Sequence, residues 1–214
     1  MGKQPSKAYL RFESVIKRSL NMLTLQAATT QILTVTKPDV PIDLSDMSRA
    51  SVVLAVAAMD SYFTDVFVER LVPFIKRKGA TKLLVTFLSD AGLDTECALQ
   101  LIVMKRPFRR IRRIVESHLE AVTTQKTEAI DRLFAIYSFK NFCEHVARYS
   151  QKGERLLLTI RKLVLRRHKI AHEGDLNSHG QPNLADPIEI QRRINAVVLF
   201  VSKADELLHK QLYS

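Results

Sequence analysis

The sequence predicts an all-α protein, a helical bundle of one domain that occupies residues 1–214. The chain contains only 6 Gly and no Trp, while Leu, Ala, Arg and Lys, which are common in helices, are abundant. Apolar residues recur mostly at the spacing that places them on one face of a helix. A chain of 214 residues is also long enough to bury a core without disulfides or a structural metal.

The first two predicted helices contain the most apolar part of the chain. One spans 6–35 and is followed by a loop at 37–41. The next begins at Asp43 or Ser45 and includes 50–68, which is apolar on most faces and therefore belongs at the centre of a bundle. Two residues are expected to end or kink it, Pro73 and Gly79.

The middle of the chain is predicted to form shorter helices. Residues 80–103 form two helices broken near 90–92, although 81–88 could instead form a strand. Pro107 at a first helical position opens a basic helix that runs to about Val122.

Three helices are predicted in the last third of the chain. One spans 127–149, and Gly153 separates it from a helix at 154–172. A polar loop at 173–185 then leads to a final helix that ends near Leu212. Its start is marked by an N-cap, a first-turn proline and a capping-box acid, which are Asp186, Pro187 and Glu189.

The net charge of +11 is concentrated in one part of the chain. Residues 101–172 contain 17 Lys and Arg against 6 Asp and Glu, a local charge of +11. The remaining segments nearly balance, at +2 for 1–100 and −2 for 173–214. Because phosphate contacts supply most non-specific affinity for nucleic acid, this segregation favours a polyanionic partner over a merely solvated surface.

The two cysteines and the apolar runs indicate the compartment. Cys97 and Cys143 lie 46 positions apart with no metal-ligand spacing around them, which is typical of free thiols in a reducing compartment. The longest unbroken apolar run, 52–59, is far shorter than a membrane span. We therefore expect a cytoplasmic protein with no membrane partner.

Arg167 and His172 carry the most informative pattern, a permanent cation and a group that titrates near neutral pH, five positions apart. An imidazole can take the proton from a ribose 2′-OH, and a guanidinium can stabilise the negative charge that builds on phosphate. Arg113 and His118 repeat this spacing. That copy runs on into an apolar helix rather than stopping at a glycine, and we interpret it as coincidence.

The stretch 166–175 resembles the Arg-x4-His signature of the HEPN superfamily (higher eukaryotes and prokaryotes nucleotide-binding domains), and is most similar to its RiboL-PSP-HEPN branch. It reads Arg166-Arg167-His168-Lys169-Ile170-Ala171-His172-Glu173-Gly174-Asp175. The resemblance implies a HEPN-like helical bundle, usually dimeric. It also implies a metal-independent endoribonuclease, with a toxin or antiviral-defence role if the protein is bacterial. Some members carry a modified Tyr where this chain has Gly174, so that modification is not implied here.

The resemblance assigns roles to four residues. Arg167 would stabilise charge on the phosphate, and His172 would act as general base. His168 would fill the polar position that follows the Arg. Asp60 matches the acidic residue expected on the apolar second helix, where Arg167 or another Arg would pair with it.

Cationic residues around the motif and at 105–113 are candidate RNA contacts. Phe108, which interrupts the second cluster, would either stack on a base or face the core. Asp175 could orient His172, or simply form the turn after Gly174. The proposed RNA-binding residues are Arg166, Lys169, Lys105, Arg106, Arg109, Arg110, Arg112 and Arg113.

Helical geometry separates the two catalytic candidates. On an ideal helix Arg167 and His172 lie about 140° apart, so they do not converge on one phosphate. We expect either that the helix unwinds near Gly174 or that two copies meet across a twofold axis, and we favour a homodimer with a composite site. His168 and His172 share a face, but no third ligand follows at helical spacing and the flanking cations oppose a divalent ion. No metal or cofactor is therefore expected.

Two other functions remain open. The chain could be a non-catalytic helical module that binds RNA, a nucleotide or a protein, or it could bind DNA through 107–122, where no helix-turn-helix spacing is evident. A toxin would also have a cognate antitoxin or inhibitor protein as a partner.

Overall fold

The structure, a computed structural model, describes residues 4–36 and 43–213, and their regular secondary structure is helical. The predicted all-α fold is therefore confirmed, whereas the predicted loop at 37–41 lies outside the described residues. The helices are α1 (Lys7–Thr36), α2 (Ser45–Lys78), α3 (Lys82–Asp90), α4 (Thr95–Ile102), α5 (Pro107–Leu119), α6 (Thr127–Ala135), α7 (Phe142–Tyr149), α8 (Glu154–Glu173) and α9 (Pro187–Tyr213).

Helix α2 forms the centre of the bundle, as its apolar sequence predicts. Helices α1, α8 and α9 pack along it, and α5 and α6 also contact it. Phe63 is fully buried and contacts aromatic rings from α6, α7 and α9. Pro73 lies inside α2 without ending it, and the helix stops at Gly79, whose φ of 73° favours glycine.

Helix α2 is also long and apolar enough, by length and composition, to cross a membrane. The mean hydropathy of its most apolar window is 1.5, and 61% of that window is buried inside the bundle. A core helix passes the same test, and the packing of α2 against its neighbours is that of a core helix.

The prediction of one helix over 127–149 is wrong, because the chain forms two helices there. Ser138 and Asn141 both have positive φ values, 65° and 49°, which interrupt the helix between α6 and α7. The turn brings Phe142 onto Phe134 with the ring centroids stacked at 4.4 Å. Burying both aromatic rings in the core offsets the cost of two left-handed residues.

Other boundaries differ less from expectation. The alternative strand at 81–88 is wrong, because the Thr81 hydroxyl caps α3 by accepting the Leu84 N–H at 3.3 Å. The basic helix α5 ends at Leu119 rather than Val122. At the start of α9, the Asp186 carboxylate accepts the Ile188 N–H at 3.0 Å, as the predicted N-cap requires.

Candidate active site

Helix α8 carries the motif as a regular helix that continues past His172. Its buried residues Leu156, Ile160 and Leu163 recur along one side and pack it into the bundle. It ends only at Gly174, which adopts the left-handed conformation with φ 62°. The expectation that α8 unwinds near Gly174 to bring the pair together is therefore wrong.

Arg167 and His172 consequently point in different directions within one chain. On this helix Arg167 projects within about 40° of the buried Ile160 and Leu163, toward the bundle. His172 projects within about 40° of Leu158 and Leu165, toward solvent. His172 is exposed, and Leu165 is 63% exposed. A composite site between two subunits remains a prediction.

Arg167 has an unusual electrostatic environment. Its Nε atom is buried and has no hydrogen-bond partner among the residues that the structure describes. Within the described part of the chain, no carboxylate forms a salt bridge with its guanidinium. A cation half-buried against the bundle without a counter-ion is costly, and an anionic ligand would relieve that cost.

Arg166, the preceding residue, is held by contacts of one guanidinium nitrogen. Its Nη2 lies 2.6 Å from the Asp175 carboxylate and donates to the carbonyl of Leu184 at 3.0 Å. Arg49, from the second turn of α2, donates to the same carboxylate at 2.9 Å. These contacts favour a structural role for Arg166 over the predicted RNA contact.

Asp175 is completely buried, and its carboxylate bonds to partners other than His172, so it does not orient the imidazole by direct contact. One carboxylate oxygen accepts from both arginines, and the other lies 3.4 Å from the Asn183 amide nitrogen. Burial acts to lower the pKa of Arg49, but hydrogen bonds and charge interactions with Asp175 and Asp46 together outweigh it and raise the pKa. Sequence reasoning missed Arg49 and Asn183, since nothing local to either residue signals this partner.

His168, Lys169 and His172 lie together on the solvent-facing side of α8. The rings of His168 and His172 have centroids 4.6 Å apart. Within the described residues, no group of three or more His, Cys, Asp or Glu side chains has a metal-binding arrangement. The cluster therefore presents two imidazoles beside cations at the end of a helix.

Asp60 has different partners from those predicted. Its carboxylate accepts the backbone N–H of Thr124 at 2.5 Å, the Thr124 hydroxyl at 2.8 Å and the Gln125 amide at 2.9 Å. Among the described residues, it forms no salt bridge with Arg167 or another arginine. These hydrogen bonds hold the segment that precedes α6 against α2.

The second basic cluster is a solvent-exposed surface at the start of α5. None of its six cations forms a salt bridge with the described residues; they are Lys105, Arg106, Arg109, Arg110, Arg112 and Arg113. Phe108 is 39% exposed, and the ammonium of Lys76 lies 5.5 Å from its ring centroid. The cluster is therefore available to an anion, while Phe108 is neither fully buried nor fully free.

Arg113 and His118, the second Arg-x4-His pair, lie in a cleft on another part of the surface. Arg113 and His118 line a cleft of about 560 Å³ together with the acidic Asp94 and Glu96. His118 packs edge-on against Phe87, with the ring centroids 5.4 Å apart. The imidazole thus packs on an aromatic side chain, and the interpretation that this spacing is coincidental stays a prediction.

Comparison with known protein families identifies the class to which this fold and motif belong. The family model described as RiboL-PSP-HEPN matches residues 16–210, nearly the whole chain. The protein therefore belongs to the RiboL-PSP-HEPN family, a branch of the HEPN superfamily whose domains are often ribonucleases. No curated protein and no solved structure matched the chain.

Proposed function

We propose that this protein is a metal-independent endoribonuclease. The observation that carries the proposal is the environment of Arg167, whose buried Nε has no hydrogen-bond partner among the described residues, although the neighbouring Arg166 forms an ion pair with Asp175. An unpaired cation five residues before an exposed histidine supports a site for phosphate. Family membership supports an RNase-type or nucleotide-binding function more generally.

The proposed reaction uses the substrate's own ribose as nucleophile. His172 takes the proton from the 2′-OH, and the 2′ oxygen attacks the adjacent phosphorus. Arg167 stabilises the added negative charge on the phosphate oxygens. The bond from phosphorus to the 5′ oxygen then breaks, and that oxygen takes a proton from His172 of the partner subunit or from water. The products are a 2′,3′-cyclic phosphate and a 5′-OH.

The proposed active unit is a homodimer. Arg167 and His172 diverge by about 140° within one helix, so one chain cannot direct both at the same phosphate. The exposed Leu158 and Leu165 flank His172 on the solvent-facing side of α8 and supply apolar area for a twofold contact. A second α8 packed there would bring the two copies of His172 into one cleft, and the half-buried Arg167 of each chain would reach the phosphate from the edge of that cleft.

RNA outside the reacting phosphate would contact the exposed cations of α5, together with Lys169 and His168. The unpaired state of the α5 cluster supports this assignment, and Phe108 is partly accessible to a base. In a bacterial cell we propose a cytoplasmic toxin or phage-defence effector without a membrane partner. A cognate antitoxin or inhibitor protein would hold it inactive.

A non-catalytic RNA-, nucleotide- or protein-binding module is the second candidate. It is favoured by the same divergence of Arg167 and His172, because a monomer would retain the basic surface without a complete site. Only the first candidate predicts RNA cleavage, so an activity assay distinguishes the two.

The test is RNA cleavage in excess EDTA, with single-stranded and structured substrates and identification of the product ends. We expect His172→Ala to lower the rate by about 10²–10⁴-fold, because it removes the general base. Arg167→Ala should lower it by about 10²–10³-fold, because it removes a donor to the developing charge.

Arg155→Ala and His179→Ala are matched controls, since both residues are exposed and lie outside the proposed site. Both controls should cut at the wild-type rate. Cleavage that survives in His172→Ala would overturn the assignment of the base. RNA binding without cleavage by the wild type would instead support the binding module.

A further inference from the structure

The residues that follow the motif are held in place by buried charged side chains, which are uncommon in protein cores. Asp175 is completely buried, and the side chains of Arg49 and Arg166 are only 10% and 21% exposed. Both guanidiniums contact one carboxylate oxygen, at 2.9 and 2.6 Å. Asp46 also pairs with Arg49, at 2.9 Å, but its side chain is 93% exposed, so Asp175 supplies the buried negative charge that the two guanidiniums share. Removing that carboxylate would leave two adjacent cations with little water.

The same cluster connects three separate parts of the chain. Arg49 belongs to the first turns of α2, Arg166 to α8, and Asn183 to the loop that precedes α9. Both arginines also donate to the backbone carbonyl of Asn183, at 2.8 and 3.3 Å. The carboxylate and its partners therefore join the end of α8 to the start of α2.

The backbone of Asp175 adds to this connection. Its N–H donates to the carbonyl of Lys169 at 3.1 Å, within the last turns of α8. Its carbonyl accepts the backbone N–H of Asn183 at 2.8 Å. Because His172 lies between Lys169 and Asp175, the turn of helix that bears the imidazole is closed by these bonds.

We infer that Asp175 is a positioning residue for the proposed ribonuclease site, an inference that rests on the proposed function. The ion pair of Asp175 with Arg166 fixes the rotation of α8 about its own axis. The bond from the Asp175 N–H to the Lys169 carbonyl closes the last turn of that helix. That fixes the direction of His172 toward solvent and of the adjacent Arg167 toward the bundle. Asp175 does not touch the substrate, because its side chain is completely buried.

The experiment is Asp175→Asn, which removes the charge and keeps the shape. Asn accepts the positive φ of 57° found here, so the backbone is not strained by the change. The matched control is Asp205→Asn, another buried carboxylate, which accepts the Ser6 N–H and the Tyr62 hydroxyl, both at 3.2 Å. Both changes remove one charge from a buried hydrogen-bonded site, but only the first lies at α8.

Three measurements separate positioning from general destabilisation. In Asp175→Asn, hydrogen exchange over 166–184 should become about tenfold faster relative to α1, and the imidazole resonances of His172 should shift. The kcat for RNA cleavage should fall about 10- to 100-fold while KM changes by less than about twofold, because a misplaced base slows chemistry rather than binding. Asp205→Asn should change neither the His172 resonances nor kcat.

A variant that retains the charge tests the idea if Asp175→Asn fails to fold. Asn183→Ala removes an amide near the carboxylate and leaves both ion pairs, so it should shift the same signals by a smaller amount. If exchange at α8 and the His172 resonances are unchanged in the folded variants, the positioning role is overturned. If those signals move but the wild type does not cut RNA, the proposed function fails and the structural role of Asp175 stands.

Discussion

At the scale of single residues, adjacent arginines differ completely in environment. Arg166 contacts a buried carboxylate and two carbonyl groups, whereas the buried Nε of Arg167 has no hydrogen-bond partner in the described part of the chain. From the sequence, both arginines were plausible phosphate contacts, because two consecutive arginines have the same neighbours along the chain. A rotation of about 100° between neighbours on a helix is enough to give them different partners.

The two cysteines make a similar contrast. Cys143 is buried, and its thiol lies 3.4 Å from the carbonyl of Thr127. Burial, reinforced by the nearby Asp131, raises the pKa of Cys143 far above its ordinary value. Cys97 is half-buried in the first turn of α4 and has no comparable enclosure. The reactive thiolate of Cys143 is therefore suppressed in the folded protein.

We expect a thiol reagent at pH 8 to modify Cys97 in the native protein and to spare Cys143. Mass spectrometry of the labelled peptides measures this directly. Cys97→Ala should abolish rapid labelling until denaturant is added, when Cys143 becomes reactive. Rapid labelling of Cys143 in the native protein would contradict the burial described above.

At the scale of helices, the break between α6 and α7 is the largest departure from the sequence prediction. The turn between the two helices buries Tyr137, whose ring stacks on Phe67 at 4.3 Å between centroids. Its hydroxyl donates to the Phe67 carbonyl of α2 at 2.6 Å. The turn is thus a core contact rather than a surface connection.

Tyr137→Phe tests the strength of that contact. The change keeps the stacked ring and removes one buried hydrogen bond, so the free energy of unfolding should fall by about 1 kcal/mol. Chemical denaturation provides the measurement. Tyr149→Phe is the control, because that ring lies beside the ammonium groups of Lys203 and Lys210 and is only half-buried, so its stability should hardly change.

Most helices could be predicted from periodicity because the signal for each is local. The starts of α5 and α9 follow from Pro107 and Asp186, and the end of α8 follows from Gly174. The α6–α7 break could not be predicted in this way. Its two positive-φ residues, Ser138 and Asn141, are not glycines, and the turn is stabilised by contact with α2, about 70 positions earlier in the chain.

At the scale of the whole molecule, charge and apolar exposure are unevenly distributed. The segment 101–172 has a local charge of +11, and its cations reach solvent on α5 and α8. Leu165 is exposed on α8 beside the motif, and Leu99 is exposed to almost the same extent on α4, at 63% and 62%. These two leucines allow the proposed dimer surface to be tested with a matched pair.

We expect Leu165→Glu to dissociate the proposed dimer and to abolish RNA cleavage, because it introduces a charge into the twofold contact. Leu99→Glu, which adds the same charge to α4, should leave the dimer intact. Analytical ultracentrifugation of both variants and of the wild type measures the assembly state. A wild-type monomer that cuts RNA, or a Leu165→Glu dimer, would overturn the composite-site proposal.

The sequence alone determined the helical class, the motif at Arg167 and His172 and the concentration of positive charge before it. These are properties of composition and local spacing, which a chain has before it folds. The tertiary structure decided which arginine is paired, where Asp60 bonds and where α6 ends. The partners are distant along the chain, with Arg49 bound to Asp175 and Asp60 bound to Thr124. No local pattern contains such contacts, because they arise only when packed helices bring those side chains together.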